Sequence, residues 1–135
     1  MITTTISYSF KSDISAVWNI VTNLHDTSWR SDISKTEVLE NEMGFVEYSG
    51  KDFSTRFMIT RKEPMTNYAF TIENKNMQGN WTGVFKETST GTTIEFTECV
   101  EIKNPVMKLL AKGYLKKQQA LYIKDLKKAL GELNG

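Results

Sequence analysis

One cysteine, Cys99, and one histidine, His25, stand in a chain of 135 residues. A lone thiol forms no internal disulfide, and with a single imidazole it supplies no zinc-type cluster, so neither a metal nor a disulfide framework is expected. Phosphate-cradling glycine motifs and nucleophile elbows are missing too, and no cofactor is expected. No segment approaches the roughly 18 consecutive apolar residues of a membrane-spanning helix, which argues against stable membrane insertion. Seventeen Lys and Arg residues against sixteen Asp and Glu leave a net charge of +1. That balance gives no general attraction to nucleic acid or to an anionic surface. The opening MITTTISYSF has neither the charged leader nor the apolar core of a signal peptide, and a cytoplasmic protein is expected.

What is present describes a folded chain: 39% hydrophobic, 24% charged and 11% aromatic residues. The length suits one domain, 1–135, able to bury a core unaided, as a monomer or a weak homodimer. Ile2, Thr4, Ile6, Tyr8 and Phe10 alternate with Thr3, Thr5, Ser7 and Ser9, the period-two signature of a half-buried strand. Ser12 or Asp13 then caps a short helix whose Ile14, Val17, Trp18 and Val21 recur at helical spacing. The capping and turn residues of NLHDTSWRSD, Asn23 to Asp32, predict a second, very short helix. From Ile33 to Ile102, strands are predicted at about 33–41, 45–50, 53–63, 66–74, 79–88 and 92–102. The short connections between them imply an antiparallel meander. Asn104-Pro105 supplies an N-cap and a proline at the first helical position. The helix it opens is predicted to run to about Leu133, roughly 40 Å long at 1.5 Å per residue. Its apolar stripe is Met107, Leu110, Ala111, Tyr114, Leu115, Gln118, Tyr122, Leu126, Ala129, Leu130 and Leu133, opposite a lysine-rich face expected to be solvated.

This order is α+β: strand, two short helices, six strands and one long helix. The opening strand, SDISAVWNIVTNLHDTSW, WTGVFKETSTGTTIEFTECVEI and NPVMKLL together resemble the START-like or SRPBCC helix-grip superfamily, in particular its polyketide cyclase/dehydratase and lipid-transport branch. The resemblance covers the whole chain. It implies a curved seven-stranded antiparallel sheet wrapped around the C-terminal helix, with a hydrophobic pocket between them for a lipid-like or polycyclic molecule. It carries no catalytic signature, so it speaks to fold more than to activity.

Several residues are candidates for the pocket. In IEFTECVEI, alternation places Glu98 with Ile94, Phe96, Val100 and Ile102 on one face. A carboxylate there is either a polar anchor in an apolar pocket or is turned outward by a bulge. Gln118, between Tyr114 and Tyr122 on the helix stripe, is its candidate counterpart, although tyrosines at that spacing also pack as plain core. Phe57 and Phe53 face inward with Ile59, and alternation puts Arg61 in phase with them and Arg56 out of phase. Either arginine is a candidate partner for Glu98 or for an acidic ligand group, or is simply solvated. His25, next to Asp26, is expected at a cap or on the surface. The resemblance implies that the loop carrying Trp29 closes the pocket, so Trp29 either gates the entrance or caps the core.

Three functions fit. The first is non-enzymatic binding, or transport, of a hydrophobic small molecule, oriented by Glu98, Gln118 and a tyrosine. The second is an aromatase/cyclase or dehydratase working by acid-base chemistry, with Glu98 as the catalytic candidate. The third is an adaptor like the chaperone-activating branch, which calls for an exposed apolar patch.

Overall fold

The computed structural model describes residues 1–50 and 52–132. Strand β1 (Ile2–Phe10) leads into helix α1 (Ile14–Thr22), and six strands follow: β2 (Lys35–Val38), β3 (Gly44–Ser49), β4 (Phe53–Glu63), β5 (Asn67–Glu73), β6 (Met77–Thr88) and β7 (Gly91–Ile102). Helix α2 (Pro105–Ala129) closes the chain. All neighbouring strands are antiparallel, in the order β1-β7-β6-β5-β4-β3-β2, so the meander ends by pairing its last strand with its first. The result is a curved seven-stranded sheet with α2 across it.

Local chemistry sets the element ends. Asp13 caps α1 by accepting from the Ala16 amide at 2.8 Å. Asn104 caps α2 by accepting from the Val106 and Met107 amides at 2.8 and 3.3 Å. At the far end, Gly131 adopts φ 77°, and the Gly131 and Glu132 amides donate back to the Lys128 and Lys127 carbonyls. This left-handed glycine ends α2 at Ala129, short of the predicted Leu133, which lies outside the described residues.

The second short helix after β1 does not form. Asn23 and Asp26 side chains instead accept from the His25 and Ser28 amides at 3.0 and 3.2 Å, building consecutive turns. Short polar side chains offered the backbone an alternative to helical hydrogen bonds and won. The strand expected at 33–41 is also shorter, because a single 3-10 turn at Glu40–Glu42 interrupts it.

The core lies between the concave face of the sheet, α1 and α2. Val17 and Trp18 of α1 meet Phe85 and Ile94, while Leu115, Ile123 and Leu126 of α2 are buried. On β6, Gly79, Trp81, Gly83 and Phe85 share the inner face. A Cβ on Gly83 would sit 2.6 Å from the Trp81 ring, so glycine there lets the indole lie flat along the strand. The first turns of α2 pack differently: Val106, Leu109, Leu110 and Tyr114 remain 60–86% exposed. The helix is therefore anchored at its C-terminal half and stands clear of the sheet at its start.

Candidate functional site

A cavity of about 450 Å³ opens between α2, the sheet and the loop after α1. Its walls are largely aromatic, and the rings touch one another in sequence. Phe45 stacks on Phe57 at 4.8 Å and Phe70 on Trp81 at 4.7 Å. Trp81 then meets Phe96 at 4.8 Å, Phe96 meets Tyr122 of α2 at 5.7 Å, and Tyr122 meets Trp29 of the loop at 5.2 Å. Strand alternation produces the sheet part of this wall, since Phe45, Phe57, Phe70, Trp81 and Phe96 each occupy an inward position of their strand, while Tyr122 and Trp29 close it from α2 and the loop.

Polar groups enter at few points. Glu98 is half-buried and faces the cavity. The pairing of β7 with β1 and β6 is continuous past it, so no bulge turns it away, and its cross-strand partners are Thr4 and Trp81. Burial, and next the charge of Glu47, push its carboxyl up to about 7, with no hydrogen bond to hold it down. Glu47, on the same inward face of β3 as Phe45, is also raised, first by burial, against which Arg30 pulls it back. Arg30 donates from Nε and Nη2 to both Asp32 oxygens at 3.0 Å, and from Nη1 to Glu47 Oε2 at 3.3 Å. Its guanidinium also lies 4.7 Å from the Tyr122 ring centroid. Burial opposes the Arg30 charge, but Glu47, Tyr122 and Asp32 outweigh it and raise its pKa.

The loop that delivers Trp29 and Arg30 is pinned to α2. Buried Asp125 accepts from both the Ser31 amide and the Ser31 hydroxyl at 2.8 Å. Among the described residues, three buried side-chain polar atoms have no hydrogen-bond partner: Tyr68 Oη, Trp29 Nε1 and Thr4 Oγ1. The first two belong to residues lining the cavity. Burial raises the Tyr68 phenol, as does the charge of Glu47.

Of the residues singled out in the sequence, Glu98, Phe96, Phe57, Trp29, Gln118, Tyr114 and Tyr122 surround this one cavity. Tyr122 and Gln118 are half-buried along its helix wall, and Tyr114 stands at the mouth, 60% exposed. Arg61 is not among them. A register shift between Ile59 and Arg61 reverses the alternation of β4. That bulge turns Arg61 outward, where its exposed side chain pairs with Glu63. Arg56 lies on the outer face as its phase predicts, and His25 is exposed beside Glu42 at 3.3 Å.

Sequence reasoning missed Arg30, Asp32, Glu47 and Asp125. Glu47 carried the same signal as Glu98, a carboxylate in phase with inward aromatics, here Phe45. Arg30 and Asp32 sit in an aperiodic turn and give none. Asp125 lies between Lys124 and Leu126 in a lysine-rich stretch of helix, where a carboxylate reads as solvated.

No family model and no curated protein matches the chain. Solved structures do, over nearly its whole length. A conserved protein from Geobacillus kaustophilus superposes with TM-score 0.83 at 13% identity, covering 97% of this chain and 96% of that one. Protein XoxI from Bacillus cereus gives 0.77 at 16% identity, covering 100% and 99%. A START superfamily protein from Mycobacterium smegmatis gives 0.74 at 14% identity, covering 95% and 93%. Identities this low speak to architecture alone. The chain has the START-like helix-grip fold.

Proposed function

We propose that the protein binds a hydrophobic small molecule, a lipid or a polycyclic, polyketide-like compound, in the cavity between α2 and the sheet. The observation that carries this reading is a 450 Å³ cavity rich in aromatic side chains with a carboxyl group, Glu98, that no donor among the described residues satisfies. Apolar contact would supply affinity and a few polar groups orientation, as in ligand sites generally. START-like folds commonly take hydrophobic ligands, which supports the same reading. No described helix is long and apolar enough to cross a membrane. We place the protein in the cytoplasm, as a monomer or weak homodimer, where the unpaired half-buried Cys99 suits a reducing compartment. The test is a panel of lipids and polycyclic aromatic ketones, scored by thermal shift and native mass spectrometry. A true ligand at a hundredfold excess over its Kd stabilises by about 2.7 kcal/mol. A panel giving neither a bound mass nor a shift overturns the reading.

A second reading, cyclase or dehydratase chemistry, is favoured by one observation: a carboxyl poised near 7 exchanges protons readily at neutral pH. It requires that Glu98→Gln keep ligand binding and abolish turnover. Equal turnover in the variant removes it. The exposed Val106, Leu109 and Leu110 are the apolar patch an adaptor would need, but Leu110 itself lines the cavity and the other two flank lining residues Met107 and Leu110, and a portal accounts for them.

A further inference from the structure

The charges at the polar end of the cavity are unbalanced. Asp32, Glu47 and Glu98 all line it, and Arg30 is the only cationic side chain among the described lining residues. Arg30 is already committed, with both Asp32 oxygens and one Glu47 oxygen as its acceptors. Glu98 is left over. Its cross-strand neighbour is Trp81, and Phe96 stands two residues along the same face, so aromatic side chains are its nearest inward neighbours along the sheet. Tyr68, only 2% exposed, adds an unpartnered hydroxyl in the same lining, and a phenol oxygen accepts hydrogen bonds. Among the described residues no group of three His, Cys, Asp or Glu side chains converges as metal ligands do.

Resting on the small-molecule reading above, we propose that the ligand's polar end is a cation: an apolar molecule bearing a protonated amine, seated at Glu98 beside the aromatic side chains of Trp81 and Phe96. An ammonium group satisfies a carboxylate and a phenol oxygen together, and aromatic faces attract it by their quadrupole. A free fatty acid or a phosphate monoester meets carboxylates with no uncommitted cation, so the same site rejects anions. Trp29 Nε1–H, a donor, suits an oxygen elsewhere on the molecule.

Three probes of equal chain length separate the cases: decylamine, 1-decanol and decanoate, each competing with the neutral dye Nile red above the pH of about 7 at which Glu98 ionises. Decylamine is expected to displace the dye at concentrations about tenfold lower than decanol, one decade being about 1.4 kcal/mol. Decanoate is expected not to compete. Glu98→Gln is expected to erase the gap between amine and alcohol. Parity of amine and alcohol, competition by decanoate, or a gap that survives Glu98→Gln overturns the cation assignment and leaves the small-molecule reading standing. Failure of the dye and all three probes to bind overturns both.

Discussion

Replacing Arg30 with methionine is expected to cost about 3–5 kcal/mol of folding free energy at neutral pH. Methionine keeps the length and apolar stem of arginine, so the loss reports on charge more than on packing. What it leaves behind is Glu47, only 14% exposed, with no remaining partner, beside an Asp32 that keeps 23% of its side chain in water. The partial hydration of Asp32 argues for the lower end of the range. Glu47 is already raised by burial with Arg30 in place, and without it the shift grows. A carboxyl whose folded pKa exceeds its unfolded one binds protons preferentially in the native state, so its penalty builds as pH rises above the unfolded value, 4.5, and vanishes below it. Urea titrations should therefore show a large deficit at pH 7 that shrinks toward pH 4.5. Adding Glu47→Gln to the variant should recover part of the loss, because the two sites are in contact. A deficit under about 1 kcal/mol, or one that ignores pH, would mean that the clamp is not what holds this end of the cavity.

Glu98→Gln is expected to do the reverse and stabilise the protein. The Glu98 carboxyl rises from 4.5 to about 7 on folding, first through burial and next through Glu47. At about 1.36 kcal/mol per pKa unit, ionising it in the native state would cost about 3–4 kcal/mol once pH exceeds 7, and about 2–3 kcal/mol after allowing for its partial hydration. Glutamine carries no such cost. Wild-type stability should fall as pH rises through the window from 4.5 to about 7, and the variant should not follow it. The two curves should converge below pH 4.5, where the glutamate is protonated folded and unfolded alike. Parallel curves would show that water or a neighbouring group already satisfies the carboxyl. Since the side chain is half-buried, hydration trims the effect without changing its sign. A residue that weakens the empty protein and faces a cavity is what a stability–function trade-off looks like at a binding site.

The architecture was legible wherever a repeating spacing met a stop signal. The period-two run from Ile2 to Phe10 and the Asn104-Pro105 entry mark β1 and the start of α2 where the structure has them. Parity also gave Glu98 its inward face, because nothing interrupts β7. It misled at Arg61 for the opposite reason: one extra residue near Thr60 reverses every later side chain, and no letter in STRFMITRK announces it. The turns at Asn23–Asp32 were read as a helix because capping residues serve helices and Asx turns equally. The Arg30 clamp was illegible on other grounds. Its partners lie two and seventeen residues away, and nothing local distinguishes an arginine that folds over a tyrosine from one that points to water.

Helix α2 is a single hydrogen-bonded rod but two thermodynamic units. From Leu115 onward it is held by buried Ile123 and Leu126 and by Asp125 gripping the loop, whereas in the turns from Val106 to Tyr114 only the small Ala111 is buried. Helical segments of that length are marginal on their own, so their order is borrowed from the anchored half. Gly113 stands at the junction, where an added Cβ would meet nothing within 4 Å; no tight contact demands it, and it weakens the helix there by about 0.5–1 kcal/mol relative to alanine. Fraying from the Asn104 end thus enlarges the mouth while leaving the core intact. A guest of the kind proposed above would enter through local unfolding of a few turns, at a free-energy cost far below that of global unfolding.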